Sequence, residues 1–291
     1  MKHYLSNEKV IYEMSPNNEP VIEINKGDTV VVETKDCFSN KINDESTTLA
    51  DDFDFSVVNP ATGPIFINDA EPGDTLKVRI EDISLAEKGV IELFPGLGVL
   101  GNSVKKARTK IVHVDGNFAY INNMKIKVTP MIGVIGVAPK DGSAPCGNPG
   151  PHGGNMDTLE VTIGSTVNFP VYHKGALLSL GDAHALMGNG EICGTGVEIP
   201  SKTTLTIDIE KKSINNPYIE TDESYIFIAS HKNIEAAVEI ATRDSVMFIS
   251  EQKKISFEEA YMLTSVTCNL VFSQVVNPLK TVRMIVPKTI I

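Results

Sequence analysis

Short runs rich in Val, Ile and Thr, each closed off by Gly, Pro, Asn or Asp, set the limits on what this chain can fold into. Residues 21–24, 29–34, 75–83, 109–114, 118–121, 166–171 and 203–209 all have this character. Branched side chains pack well on a pleated, half-buried surface, and the bounding residues favour turns. The pattern predicts a mainly β protein. Asp115-Gly116-Asn117, between two of the runs, tolerates positive φ and predicts a tight hairpin. One phrase recurs three times: Lys26-Gly27-Asp28-Thr29-Val30, Pro72-Gly73-Asp74-Thr75-Leu76 and Ile163-Gly164-Ser165-Thr166-Val167. Each copy places a Gly-Asp or Gly-Ser turn before an alternating strand, which predicts duplicated β units in a sandwich or barrel.

The period changes towards the C-terminus. Ile234, Ala237, Val238 and Ala241 share one helical face over residues 233–244, and Ser256-Phe257-Glu258-Glu259 is a capping box opening a second helix to about residue 265. Residues 270–276 and 281–286 read as closing strands around Pro278. The expected architecture is a β-rich region over 1–210 with a small α+β region over 211–291 packed on it. No low-complexity linker separates them, so one cooperative unit is expected.

Composition narrows the function. With 42% hydrophobic and 22% charged residues the chain can bury a sizeable core. Its net charge is −11 and its lysines are scattered, so no basic stripe exists to neutralise phosphates, and nucleic acid is not an expected partner. No apolar stretch approaches the roughly 20 residues of a membrane span, and the first residues lack the apolar core of a signal peptide. Cys37, Cys146, Cys193 and Cys268 lie far apart without a CxxC pair, as free thiols of a reducing compartment would. A cytoplasmic protein is expected.

Glycine and proline gather in one place: eleven of the twenty-two residues from Gly133 to Gly154. Such a tract can be a linker, but it ends on the densest group of potential ligands in the chain. His152-Gly153-Gly154-Asn155-Met156-Asp157 is followed by Asp182-Ala183-His184 and then Glu198. Imidazole and carboxylate together suit a borderline divalent cation such as zinc. On a strand, Asp182 and His184 at i and i+2 leave the same face and can grip one ion. The tract is therefore expected to be an ordered loop forming one wall of an active site. Turn capping through Asp157 or Asp182 is the alternative.

These segments also carry a resemblance. The run from Asn148 to Asp157, the runs from Gly175 to His184 and from Gly188 to Thr195, together with Asn59 to Pro64, Ala70 to Asp74 and Ser273 to Pro278, are similar to motifs of the acetamidase/formamidase family in their order along the chain. The resemblance implies hydrolysis of a short aliphatic amide, formamide or acetamide, to the carboxylate and ammonia. It also implies a duplicated β-rich fold and homo-oligomers, with a dimer as the expected state. Carried over residue by residue, it implies His152, Asp157, Asp182 and His184 as metal ligands, with Glu198, Asn155 and, more weakly, Asp36 as catalytic groups. Asn59 stands where members often have His, and Asn269 where an acidic residue is common; both are expected to lie outside the core cluster.

Amide hydrolysis needs an activated water, a stabilised oxyanion and a protonated leaving nitrogen. A divalent ion, expected to be zinc, serves the first two needs, and Glu198 is expected to move the proton. The backbone N–H groups of Gly153 and Gly154 are candidate oxyanion donors. Two other readings stand beside this one. Cys146 or Cys193, each in a glycine-rich loop, could be the nucleophile of a cysteine amidase, or the ion could merely brace a non-catalytic binding module. A second ion, calcium, could sit among Asp44, Glu45, Asp51, Asp52 and Asp54, although such a run is more often a solvated loop.

Overall fold

The structure, a computed structural model, describes residues 1–47 and 57–291. The thrice-repeated phrase forms the same turn each time. Gly27, Gly73 and Gly164 have φ of +84°, +95° and +86°, which a side chain would strain. After each, the Asp or Ser N–H closes the turn by donating to Asn25, Glu71 or Thr162. The side-chain oxygen of that same Asp or Ser accepts the N–H of the turn's first residue at 3.0, 2.9 and 3.3 Å. These turns launch strands Thr29–Thr34, Thr75–Leu85 and Thr166–Pro170. All three lie in one sheet.

Among the described residues that sheet has nine strands, from Lys2–Leu5 at one edge to Asn269–Gln274 at the other. A second sheet, of six strands, is centred on Ala61–Ile67, Leu178–His184 and Met131–Gly136. The two face each other across the main core, where Val30, Leu76 and Val167 meet Ile65, Ile132 and Leu180. Burying each such side chain stabilises the sandwich by roughly 1.5–3 kcal/mol. A four-stranded ribbon, Lys88–Leu93, Arg108–Val114, Phe118–Ile121 and Met124–Lys127, stands beside the second sheet. Its hairpin is the expected one, with Asp115 accepting the N–H groups of Asn117 and Phe118.

The helices are Ile234–Lys253 and Phe257–Thr267. The first is capped by Asn233 and runs nine residues beyond the expected end. The second opens on the full capping box between Ser256 and Glu259. Ala237, Ala241 and Val246 of the first helix pack on Phe227, Ala229 and Val282 of the nine-stranded sheet. That sheet runs unbroken through residue 210, since Thr166–Pro170 pairs with Tyr218–Glu220. No helix among the described residues is long and apolar enough to cross a membrane.

Candidate active site

Glu198 sits on the seam between the ribbon and the second sheet. Its N–H and carbonyl pair with Val90 of the ribbon at 2.9 and 2.8 Å, while Ile199 on its far side donates to Ala183 of the sheet at 3.0 Å. The seam thus sets Glu198 beside the end of Leu178–His184, the strand that carries Asp182 and His184. His184 Nε2 is 3.0 Å from Glu198 Oε2 and 3.5 Å from Asp182 Oδ1. The other Glu198 oxygen accepts the Gly196 N–H at 2.7 Å.

Asp157 and Glu191 complete the cluster. Asp157, His184 and Glu191 offer ligand atoms within 4.8 Å of one another, and so do Cys37, Asp182 and Glu198. All six residues are buried. Gly133, at the start of the glycine-proline tract, lies directly behind them. A Cβ there would stand 2.6 Å from Asp157 Oδ1 and 2.8 Å from Asp182 Oδ2, so only glycine lets the two carboxylates close in.

Two amides orient the carboxylates of the cluster. Asn59 Nδ2 donates to Asp182 Oδ2 at 3.0 Å, and Asn277 Nδ2 donates to Asp157 Oδ2 at 2.7 Å. The backbone is bent to match: Asn59, Asp157, Asp182 and Glu191 have φ of +55°, +43°, +55° and +47°. Such a conformation costs of order 1–3 kcal/mol for a non-glycine residue and is held only where the surroundings impose it. Four instances around one cluster mark a site shaped at the expense of local comfort.

The charge balance is more extreme than the geometry. Asp157, Asp182, Glu191 and Glu198 meet in the interior with one imidazole, and among the described residues no Lys or Arg pairs with them. Burial pushes Glu198 up to about 8, against the pull of His184. Burial and then the Asp182 charge push Asp157 up to about 6. Glu191 is carried well above the carboxylate range, first by burial and then by Asp157. Burial alone would lower His184, but the Glu198 and Asp182 carboxylates outweigh it and raise the imidazole well above its ordinary value. Asp157 Oδ1, Asp182 Oδ1, Glu198 Oε2 and both His184 nitrogens have no aligned hydrogen-bond partner. Buried oxygens and imidazole nitrogens left open towards one another are the donor set of a divalent cation. The residues fit such an ion.

Several expectations need correction. His152 is buried, burial lowers it to about 4 and its Nε2 has no hydrogen-bond partner, so it keeps a free donor, although it is in neither of the two ligand groups above and does not line the cavity described below. Gly153 N–H already donates to Gly150, and Gly153 and Gly154 are taken up in pairing with Met131–Gly136, so the expected oxyanion donors are engaged elsewhere. Asp36 accepts the N–H groups of Phe38 and Asn40 at 3.0 and 2.7 Å, which makes it the brace of a turn. Asn59 lies inside the core cluster, while Asn269 is exposed on the edge strand. Of the acidic run, Asp44 accepts from Ser46 and Thr47, and Glu45 pairs with Lys110 at 3.0 Å. Asp51, Asp52 and Asp54 lie outside the described residues.

Glu191, Cys37 and Asn277 were not anticipated as site residues. Glu191 lay within a motif already noted, between Gly188 and Gly194, and Cys37 follows Asp36; both were legible as neighbours only. Cys193 turns its Sγ to the Thr195 carbonyl and does not line the cavity, and the buried thiols Cys146 and Cys37 are poorly set up as nucleophiles. Burial pushes Cys146 up to about 12, with its Sγ turned to the Ile11 carbonyl. Burial and then Glu198 and Asp182 push Cys37 well above its ordinary value. A reactive thiolate needs an electropositive setting, and Cys37 has the reverse.

A cavity of about 390 Å³ opens onto Asp182, Glu191, Glu198 and Asn155. Asn155 is buried, and its Oδ1 has no partner. The glycine-proline tract contributes Pro145, Gly147 and Asn148 to the cavity, but its first part is the buried strand Met131–Gly136, not a loop.

With the site in hand, comparison with known proteins is direct. The model of the Acetamidase/Formamidase family matches residues 4–143 and 142–291. A putative formamidase of Schizosaccharomyces pombe is 27% identical over 255 residues, covering 66% of this chain and 62% of the relative, so the chain spans less than two thirds of that protein's length. A crystal structure of an acetamidase from Bacillus halodurans superposes with a TM-score of 0.95 at 43% identity, covering 98% of this chain and 97% of the other. A predicted acetamidase/formamidase from Thermoanaerobacter tengcongensis does so at 0.95 and 46%, covering 100% and 97%.

Proposed function

The chain belongs to the acetamidase/formamidase family, and we propose that its buried cluster hydrolyses the C–N bond of a short linear amide, such as formamide or acetamide, to the carboxylate and ammonia. The observation that carries this reading is the convergence of Asp157, Asp182, His184 and Glu198 atoms without aligned hydrogen-bond partners, two of these residues, Asp182 and Glu198, lining the cavity.

In this reading Asp157, Asp182, His184 and Glu191 hold a divalent cation, with zinc as the expected ion. Such an ion supplies a Lewis acid for the carbonyl and lowers a bound water's pKa from about 15.7 towards roughly 7. The chain's own residues do the rest. Glu198, anchored through Gly196, takes a proton from the attacking water and delivers it to the amide nitrogen as the C–N bond breaks. Burial raises the Glu198 carboxyl to about 8, and a cation held beside it would lower it towards the range of a working base. Asn155 offers its amide N–H to the developing oxyanion. Asn59 and Asn277 fix the carboxylates they hydrogen-bond. The test is release of ammonia by the purified protein from formamide and acetamide, with metal analysis of the same sample. Absence of ammonia from a zinc-loaded, folded sample overturns the reading.

The cysteine route loses ground to this one because burial and the neighbouring Glu198 and Asp182 carboxylates hold the Cys37 thiol, which lines the cavity, in its protonated form. The four free cysteines fit a reducing, cytoplasmic setting.

We also propose that the chain pairs with a second copy of itself. Residues 260–279 contain no charged side chain in a chain that is 22% charged. This segment exposes Tyr261, Met262, Val266, Leu270 and Phe272 beside the edge strand Asn269–Gln274, which pairs with Lys280–Pro287 on one side and is bridged on the other only at its end, by Gly190. Natural edges are usually protected by charge, and an uncharged apolar edge is where two molecules of net charge −11 can meet without repulsion. Antiparallel pairing of that edge with its symmetry mate gives a two-fold dimer. Light scattering is expected to give twice 31.5 kDa, and Phe272→Lys to return the monomer; a wild-type monomer contradicts the dimer.

A further inference from the structure

The cavity above the cluster is larger than formamide or acetamide requires. Acetamide has four heavy atoms and displaces roughly four waters, about 120 Å³ at ~30 Å³ each. The cavity measures about 390 Å³, within the range of about 300–1,000 Å³ typical of sites that enclose much larger ligands. Its chemistry is divided. Asp182, Glu191 and Glu198 with Asn59, Asn155 and Asn277 make the polar side, joined by Asn148 and Thr195, and Phe38, Phe94, Leu97 and Val276 make an apolar side. Phe38 and Phe94 meet edge to face, with ring centroids 6.5 Å apart. Lys280 lines the cavity as well, but its Nζ is committed to the Asn277 carbonyl at 2.6 Å.

We infer that the preferred substrate is a primary amide with a neutral, apolar acyl group of about four to seven carbons, whose chain or ring lies against Phe38, Phe94, Leu97 and Val276 while its carboxamide meets the cluster. This rests on the amide-hydrolase reading above and specifies its substrate. An acidic acyl group is excluded, because it would be brought next to four buried carboxylates that already lack a basic partner. A formyl or acetyl group leaves the apolar wall in contact with water and gains nothing from it. Each methylene moved from water onto such a wall is worth about a fourfold gain in kcat/KM.

The experiment is an acyl series of formamide, acetamide, propionamide, butyramide and benzamide with the zinc-loaded protein, read as ammonia release. The expected result is a rise of about fifteenfold in kcat/KM from acetamide to butyramide, with benzamide at least equal to acetamide. Gly147→Leu supplies the matching variant. A Cβ at Gly147 meets only Val58, at 3.9 Å, so the larger side chain has room to enter the cavity. It should bring the butyramide-to-formamide ratio down by tenfold or more. A series that is flat, or falls with every added carbon, overturns this inference while hydrolysis of small amides stands. Failure to release ammonia from any amide overturns the functional reading and this inference with it.

Discussion

Replacing Glu198 by Gln is expected to cut amide turnover by about 100-fold or more, the usual scale for loss of a general acid-base group. The fold should survive, because Gln keeps an oxygen for the Gly196 N–H and the Val90 pairing is made by the backbone. Zinc content should survive as well if Asp157, Asp182, His184 and Glu191 hold the ion. Metal analysis of E198Q beside its kinetics therefore separates two roles. Lost turnover with retained zinc identifies the base. Loss of both makes Glu198 a ligand, completing the group it forms with Cys37 and Asp182. Turnover close to wild type removes Glu198 from the chemistry.

The second large effect is on stability. Asp157 at about 6 and Glu198 at about 8 hold protons in the folded chain that their unfolded counterparts release near pH 4. Folded values raised above unfolded ones mean that the native state binds more protons through this window, so unfolding free energy falls as pH rises from about 4 to 8. Glu191 and His184, both raised, act in the same direction above their own unfolded values. With these groups buried, the loss should be several kcal/mol, on the order of 10 °C or more in Tm for a chain of this size. A divalent cation reverses the slope, since it binds the deprotonated cluster and stabilises by mass action. Thermal unfolding in chelator should therefore show a Tm falling from pH 5 to pH 8, and added zinc should raise Tm most at pH 8. A chelated protein that is more stable at pH 8 than at pH 5 contradicts the electrostatic account of the cluster.

The sequence was most legible where one face of an element meets solvent. The strand 29–34 alternates buried and half-exposed residues along its length and was read with correct bounds. The capping box at Ser256 is legible from its side chains, whereas the Asn233 cap emerges only in the structure. The two strands that build the site were not. Met131–Gly136 and Leu178–His184 are buried at every residue, so no alternation announces them, and their glycines read as loop. What survived was local chemistry. Asp182 and His184 do converge on one site, as their i, i+2 spacing on a strand suggested. Asn59, Glu191 and Asn277 reach the cluster from turns far apart in the chain, and only the folded topology brings them together. His152 shows the converse. A histidine among glycines resembles a ligand in sequence, and in the structure it is buried but belongs to neither group of clustered ligand atoms.

The central claim is that this cluster hydrolyses amides with a bound divalent cation. The direct measurement is ammonia release from acetamide and butyramide by one purified sample, assayed as isolated, after exhaustive chelation and after zinc is returned, with metal content determined at each stage. The account predicts activity that falls to background on chelation and returns with about one or more zinc ions per chain. Full activity in the chelated, metal-free protein, abolished instead by thiol alkylation, would contradict it.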